Sequence, residues 1–316
     1  MGELNPLPDP SSLPSSSTGT DLSAEWSTGN RFVDLGRLGP SSIWKTLVVF
    51  FAEVVSFLAV SVLASVIVLV EASGRITSVD QLSPLLILIA AGLPFYGAFL
   101  ALVFGVRVMN HRPVKTLVTP LPHPRWDRFW RSFLVWLVLS ALGDLVIAFI
   151  ISPGNYVFQF QPQAFLPYAL AVLVFIPVQS ATEELTFRGY LLQGIGVATR
   201  SAWLAWIVTS VIFGLLHIMN NEIQQYGLGL LVDYIGLGLF LGWLTLRGEG
   251  LETALGVHIA TNLYATLMVT FPGSSLPAPA IFRTLTYNPV QNSLVLAAAM
   301  LLFLLYFYRV ELKRGS

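Results

Sequence analysis

The stretch that decides the fold is Phe165 to Ile195, FLPYALAVLVFIPVQSATEELTFRGYLLQGI. Up to Val178 it carries no Asp, Glu, Lys, Arg or His; Glu183, Glu184 and Arg188 then follow in quick succession. A run this apolar reads as a membrane helix, and an ionisable residue inside one costs about 2.5–3.5 kcal/mol even on a lenient insertion scale, so each is a candidate for function. On a helix Glu184 and Arg188 share one face, in the favoured order of acid before base. Glu183 lies about 100° further round, so one carboxylate can be neutralised locally while its neighbour points elsewhere.

Working outward, the whole chain has the same character. Of 316 residues 55% are hydrophobic and 11% charged, with a mean hydropathy of +0.72, whereas soluble domains carry roughly 25% charged residues. Apolar runs suited to a hydrocarbon core of about 30 Å occur near 44–70, 83–106, 129–152, 164–182, 202–219, 226–246, 250–270 and 293–309. The expected fold is an all-α polytopic membrane bundle of about eight transmembrane helices. Alternating strands of about ten residues, the mark of an outer-membrane barrel, are absent. Residues 1–42, rich in Pro, Ser and Gly, cannot offset the entropy of ordering and are expected to form a disordered tail ahead of a membrane domain at 43–312. Glu3, Asp9, Asp21 and Glu25 do not suit a secretory or transit leader, which leaves the first span as the targeting signal.

Arg107, Arg112, Lys115, Arg125, Arg128 and Arg131 crowd the segment between the second and third spans, against a single Asp127. The positive-inside tendency puts this segment in the cytoplasm, and eight spans put both termini there too; Arg309, Lys313 and Arg314 near the end agree. The net charge of zero gives no footprint for nucleic acid, so the expected partners are the lipid bilayer and whatever the site acts on. With no cysteine, disulfides, thiolate catalysis and Cys-ligated metal are excluded.

His217, in FGLLH, and His258, in HIATN, lie within spans; His111 and His123 lie in the basic loop, where a solvated role is expected. Phe213 precedes His217 by four residues and Asn262 follows His258 by four, so each pair shares a helix face. If Glu183, His217 and His258 converge, two chemistries open. Glu, His and His with a fourth position free are the ligand set of a catalytic zinc, a metal that makes bound water nucleophilic near neutral pH. Without metal, a desolvated Glu183 is a base for a water that His217 also holds, while His258 and the Asn262 amide face the developing oxyanion. Glu53, Asp144 and Asp233 are expected to be buried hydrogen-bonding groups. Gly238 and Gly242 are expected to allow close helix contact.

EELTFRGY, FGLLH and HIATN resemble, in order and residue type, the three signatures of the CAAX prenyl protease and bacteriocin-processing family of intramembrane proteases (CPBP, or Abi): E-E-x-x-x-R, F-x-x-x-H and H-x-x-x-N or D. The resemblance spans 177–271. It implies an endopeptidase site carried by Glu183, His217, His258 and Asn262, with Glu184 and Arg188 supporting the first motif, acting on a peptide or protein at the membrane surface, with zinc or without. A bacterial plasma membrane is the expected setting, with endoplasmic reticulum second. Two other classes compete: a catalytically silent scaffold of the same fold, which a functional Glu183→Gln variant would favour, and a proton-coupled transporter, which does not explain the three signatures. One tension remains in depth. Glu183 and His217 share a water only if the fourth helix continues through Leu192, as its proline-free run of helix formers suggests, or if the fifth span starts later.

Overall fold

The computed structural model describes residues 27–71 and 82–312; residues 1–26, and Lys313 and Arg314 at the end, lie outside them. Part of the segment expected to form a tail, 27–42, is described and holds a helix. A one-turn helix, α1 (Arg31–Asp34), buries Phe32 and Val33 completely. Asn30 caps it by accepting from Val33 N at 3.2 Å, and its Nδ2 donates to Leu246 O at 2.8 Å. Two apolar side chains and one bifunctional cap suffice to anchor a segment whose average composition is that of a tail.

The long helices follow: α2 (Ile43–Glu71), α3 (Pro84–Val108), α4 (Trp126–Val146, widened into a π turn through Ile151), α5 (Pro162–Glu184), a π-helical stretch Leu185–Leu191, and α6 (Leu192–Thr199). After them come α7 (Ala202–Leu215), α8 (Asn221–Tyr226), α9 (Leu231–Gly248), α10 (Glu252–Leu267) and α11 (Pro289–Tyr306). Among the described residues six stretches are long and apolar enough to cross a membrane: 43–69, 84–108, 126–151, 162–199, 228–248 and 289–310. The chain is thus a helical integral membrane protein, with six such spans where eight were expected. At 1.5 Å per residue α7 and α10 reach only about 21–24 Å, short of a hydrocarbon core of about 30 Å. Pro94, Pro167 and Pro177 sit inside helices, which packed membrane helices tolerate.

Contacts sort the loops onto two ends of the bundle. At one end Arg125 joins the start of α4 to the start of α10 through Glu252 (2.7 Å), and Gln193 of α6 donates to Thr116 O at 2.8 Å. At the other end lies a small sheet of β1 (Tyr156–Phe158), β2 (Val269–Thr270) and β3 (Phe282–Thr284), an addition to the expected all-helical plan. β3 is central, antiparallel to β1 with Val157 opposite Arg283, and parallel to β2. Asn221, just after α7, donates from its backbone to Ser275 Oγ at 2.9 Å, so α7 also ends on the sheet side.

Phe51, Leu58, Phe104, Phe149 and Leu170 are exposed along the outer helices, as lipid-facing residues are. α10 is the reverse: Glu252 to Ala260 is buried throughout, wedged among α4, α5 and α9. Close approach of α9 to α7 depends on glycine. A Cβ on Gly238 would meet Ser210 O at 2.9 Å, and one on Gly242 would meet Trp206 Cδ1 at 2.5 Å.

Candidate functional site

The fourth span does run on. α5, the π stretch and α6 form one continuous helical body from Pro162 to Thr199, with Glu183 and Glu184 just before the π segment. Thr199 and Ala202 flank a tight reversal, with Arg200 left-handed at φ +57° and Ser201 Oγ capping α7 through Leu204 N at 3.2 Å. Glu183 lies sixteen residues before Thr199 and His217 fifteen after Ala202, so both stand roughly 22–24 Å from the reversal. The hairpin therefore removes the depth mismatch, and the π turn sits where such turns often mark a functional site.

Glu184 and Arg188 are both fully buried and pair at 2.8 Å. Arg188 also donates to Gly238 O at 3.4 Å, and its guanidinium lies 4.1 Å over the Phe213 ring. The same Glu184 Oε1 lies 2.7 Å from His258 Nδ1. A carboxylate can only accept, so Nδ1 carries the proton of that bond. His258 Nε2 is thereby directed to Glu183 Oε2, 3.6 Å away. Glu183 is less enclosed than Glu184, and its one hydrogen bond among the described residues, from Gln179 Nε2, is long at 3.4 Å. Adjacent glutamates thus have opposite roles, one locked and one loosely held.

Asn262, one turn beyond His258, donates to the buried Ser180 Oγ at 3.1 Å, which ties α10 to α5 beside the glutamates. His217 lies just past the end of α7, where Nδ1 donates to Phe213 O at 2.8 Å and Nε2 takes no protein partner among the described residues. Phe213 is the hub, with ring centroids 4.7 Å from His217 and 6.0 Å from His258. The direct contacts therefore join Glu183, Glu184, Arg188 and His258, while His217 meets this set across the Phe213 ring and Asn262 contacts Ser180, one turn before Glu184 on α5. As for the zinc ligand set, no group of three or more His, Asp or Glu side chains among the described residues is placed to hold a metal.

Several residues of the site were not singled out from sequence. Tyr234 of α9 stacks on His217 at 4.3 Å and 22°. Its hydroxyl donates to Glu222, which also accepts from Asn220 Nδ2 at 3.2 Å and from Ser275 N at 2.9 Å. Ser180 and Gln179 had one signal, since they precede the glutamates by one turn and share their helix face. Tyr234 had none, because its partner lies on a different helix. Of the three acids expected to be buried hydrogen-bonding groups, Glu53 is buried and Asp144 and Asp233 are half-buried, and each has a neutral partner: Thr186 donates to Glu53 at 2.6 Å, Tyr156 to Asp144 at 2.6 Å and Ser293 to Asp233 at 2.7 Å.

Residues 162–264, a segment that contains all six candidate residues, match the family model described as type II CAAX prenyl endopeptidase Rce1-like. The chain is also 29% identical over 201 residues to the uncharacterized protein YyaK of Bacillus subtilis strain 168, across 63% of this chain and 67% of that one. No solved structure matches.

Proposed function

We propose, from the match of residues 162–264 to the Rce1-like model of type II CAAX prenyl endopeptidases, that the protein is an intramembrane endopeptidase in which Glu183 activates the attacking water. The observation that carries this reading is the 3.6 Å gap between Glu183 Oε2 and His258 Nε2, with the far side of that imidazole held by Glu184. A water lodged against both groups can give its proton to Glu183 as its oxygen attacks the scissile carbonyl. His258, steadied by Glu184 and Arg188, offers its Nε2 lone pair to the same water and so orients it, and the proton that Glu183 takes passes on to the leaving amine. Asn262 supplies a neutral donor for the developing oxyanion one turn away, its amide oriented by Ser180. His217, with Nδ1 committed to Phe213 O, offers Nε2 to the substrate or to the water from the other side of the Phe213 ring.

This mechanism routes no step through a metal, and in it Glu184 and Arg188 are positioning residues. The substrate is a peptide segment near the bilayer surface, of which a prenylated C-terminal CAAX sequence is the first to try. By the positive-inside tendency the end of the bundle with Arg112, Lys115 and Arg125 faces the cytoplasm of a bacterial cell, and both ends of the described chain lie on that side.

The test is cleavage by purified protein in lipid nanodiscs, with a panel of prenylated and unprenylated peptides read by mass spectrometry. Release of a C-terminal fragment by the wild-type protein and not by His258→Ala supports the proposal. Equal release by both would remove His258 from the chemistry.

A further inference from the structure

Away from the glutamates, a cavity of about 230 Å³ opens where α2 begins, between α2, α6 and the segment that follows α3. Ser41, Ser42, Thr46, Asn110, Arg112 and Arg200 supply most of its polar lining. Arg112 stands out among them. It is 4% exposed, and its NH1 donates to Leu35 O at 3.0 Å and to Gln193 Oε1 at 2.7 Å. Its cation also lies 5.8 Å from the Tyr190 ring, while its Nε has no hydrogen-bond partner. None of these partners carries a full negative charge. A buried guanidinium without a carboxylate is costly, and desolvation pushes this one down to about 10.

Three features therefore meet in one space: an uncompensated buried cation with an unused donor, the opening turn of the 29-residue α2, whose Lys45 N is capped by Ser42 Oγ at 3.4 Å and whose dipole favours an anion, and serine and threonine hydroxyls. Together they match a tetrahedral oxyanion. The volume, several times the roughly 30 Å³ share of one water, admits a phosphate with its ester substituents.

The surroundings indicate where the phosphate comes from. Ser41, Ser42 and Ile43 are exposed at the mouth, and Trp44 beside them is 69% exposed, as an interfacial tryptophan is. Ile43, Leu47 and Phe51 recur every fourth residue and are exposed, which makes an apolar stripe running from the mouth down the span. We infer that this cavity binds the phosphate of a membrane phospholipid, with Arg112 as its principal counter-charge and an acyl chain lying along the Ile43–Leu47–Phe51 stripe. The lipid would join α2 to α6, the end of the helical body that carries Glu183 and Glu184.

Two variants test this without touching the glutamate site. Ser42→Asp keeps a capping oxygen at the start of α2 and sets a negative charge at the mouth; Arg112→Met removes the cation. Protein purified in neutral detergent is titrated with dihexanoyl phosphatidylglycerol and, separately, with inorganic phosphate, and followed by thermal scanning and native mass spectrometry. The expected result is one lipid bound per wild-type chain with a Tm several degrees higher, little effect of inorganic phosphate at equal concentration, and affinity for the lipid reduced roughly tenfold or more in Ser42→Asp. Should Arg112→Met fail to fold, Ser42→Asp still decides. Undiminished affinity in Ser42→Asp, or equal protection by inorganic phosphate, overturns the inference.

Discussion

Glu184 holds His258 by one edge, with Oε1 2.7 Å from Nδ1, and so directs the opposite nitrogen to the carboxylate of the preceding residue in sequence. The helix makes this possible by fanning neighbouring side chains about 100° apart, which lets one carboxylate serve structure and the next serve chemistry. Arg188, one turn on, balances the structural one.

The two glutamates should therefore separate in a stability experiment. Glu184→Ala strands the fully buried Arg188 and is expected to cost about 3–5 kcal/mol. Glu183→Ala loses a long contact to Gln179 and the 3.6 Å approach to His258 Nε2, and is expected to cost under about 1 kcal/mol. Denaturant unfolding of both variants in detergent measures the difference, and equal costs would contradict the division of roles.

Tyr234 should matter for rate through His217. Tyr234→Leu removes the ring stacked at 4.3 Å and is expected to lower kcat about tenfold by loosening the imidazole. Tyr234→Phe keeps the ring, and Asn220 and Ser275 still serve Glu222, so its rate is expected to stay near wild type. A Phe variant as slow as the Leu variant would assign the effect to the hydroxyl.

Helix spacing at α7 and α9 supplies a third test. Gly238→Ala drives a methyl towards Ser210 O at 2.9 Å, beside the carbonyl that receives Arg188. The expected loss is about 1–3 kcal/mol in unfolding free energy, larger than for Gly236→Ala, where a Cβ meets nothing within 4 Å.

Much of this was legible in the sequence because hydrocarbon is an unforgiving solvent. Long apolar runs gave the helical spans, and Glu183, Glu184, Arg188 and His258 stood out as charges or imidazoles within them. The i, i+4 pairing of Glu184 with Arg188 is local and could be read directly. What the sequence hid is tertiary. Nothing local tells that His258 Nδ1 selects Glu184, that Tyr234 covers His217, or that α10 stops short of a full span where neighbouring protein, rather than lipid, surrounds it. The folded Phe32–Val33 turn was masked by averaging over a polar segment, although two apolar residues behind an asparagine cap are themselves a local signal.

Metal removal bears on the ligand geometry. With no three His, Asp or Glu side chains placed as a ligand group among the described residues, activity is expected to survive dialysis against 1,10-phenanthroline, with substoichiometric zinc by elemental analysis. Loss on chelation and recovery with added zinc would instead assign Glu183, His217 and His258 as ligands.

The most direct measurement is single-turnover cleavage of a peptide substrate by the Glu183→Gln variant, alongside a circular dichroism spectrum to verify its fold. Glutamine keeps the shape and the contact with His258 but cannot take a proton, so the expected rate is about 10²–10⁴-fold below wild type with an unchanged spectrum. A folded Glu183→Gln protein that cuts at the wild-type rate would contradict the assignment of Glu183 as the base.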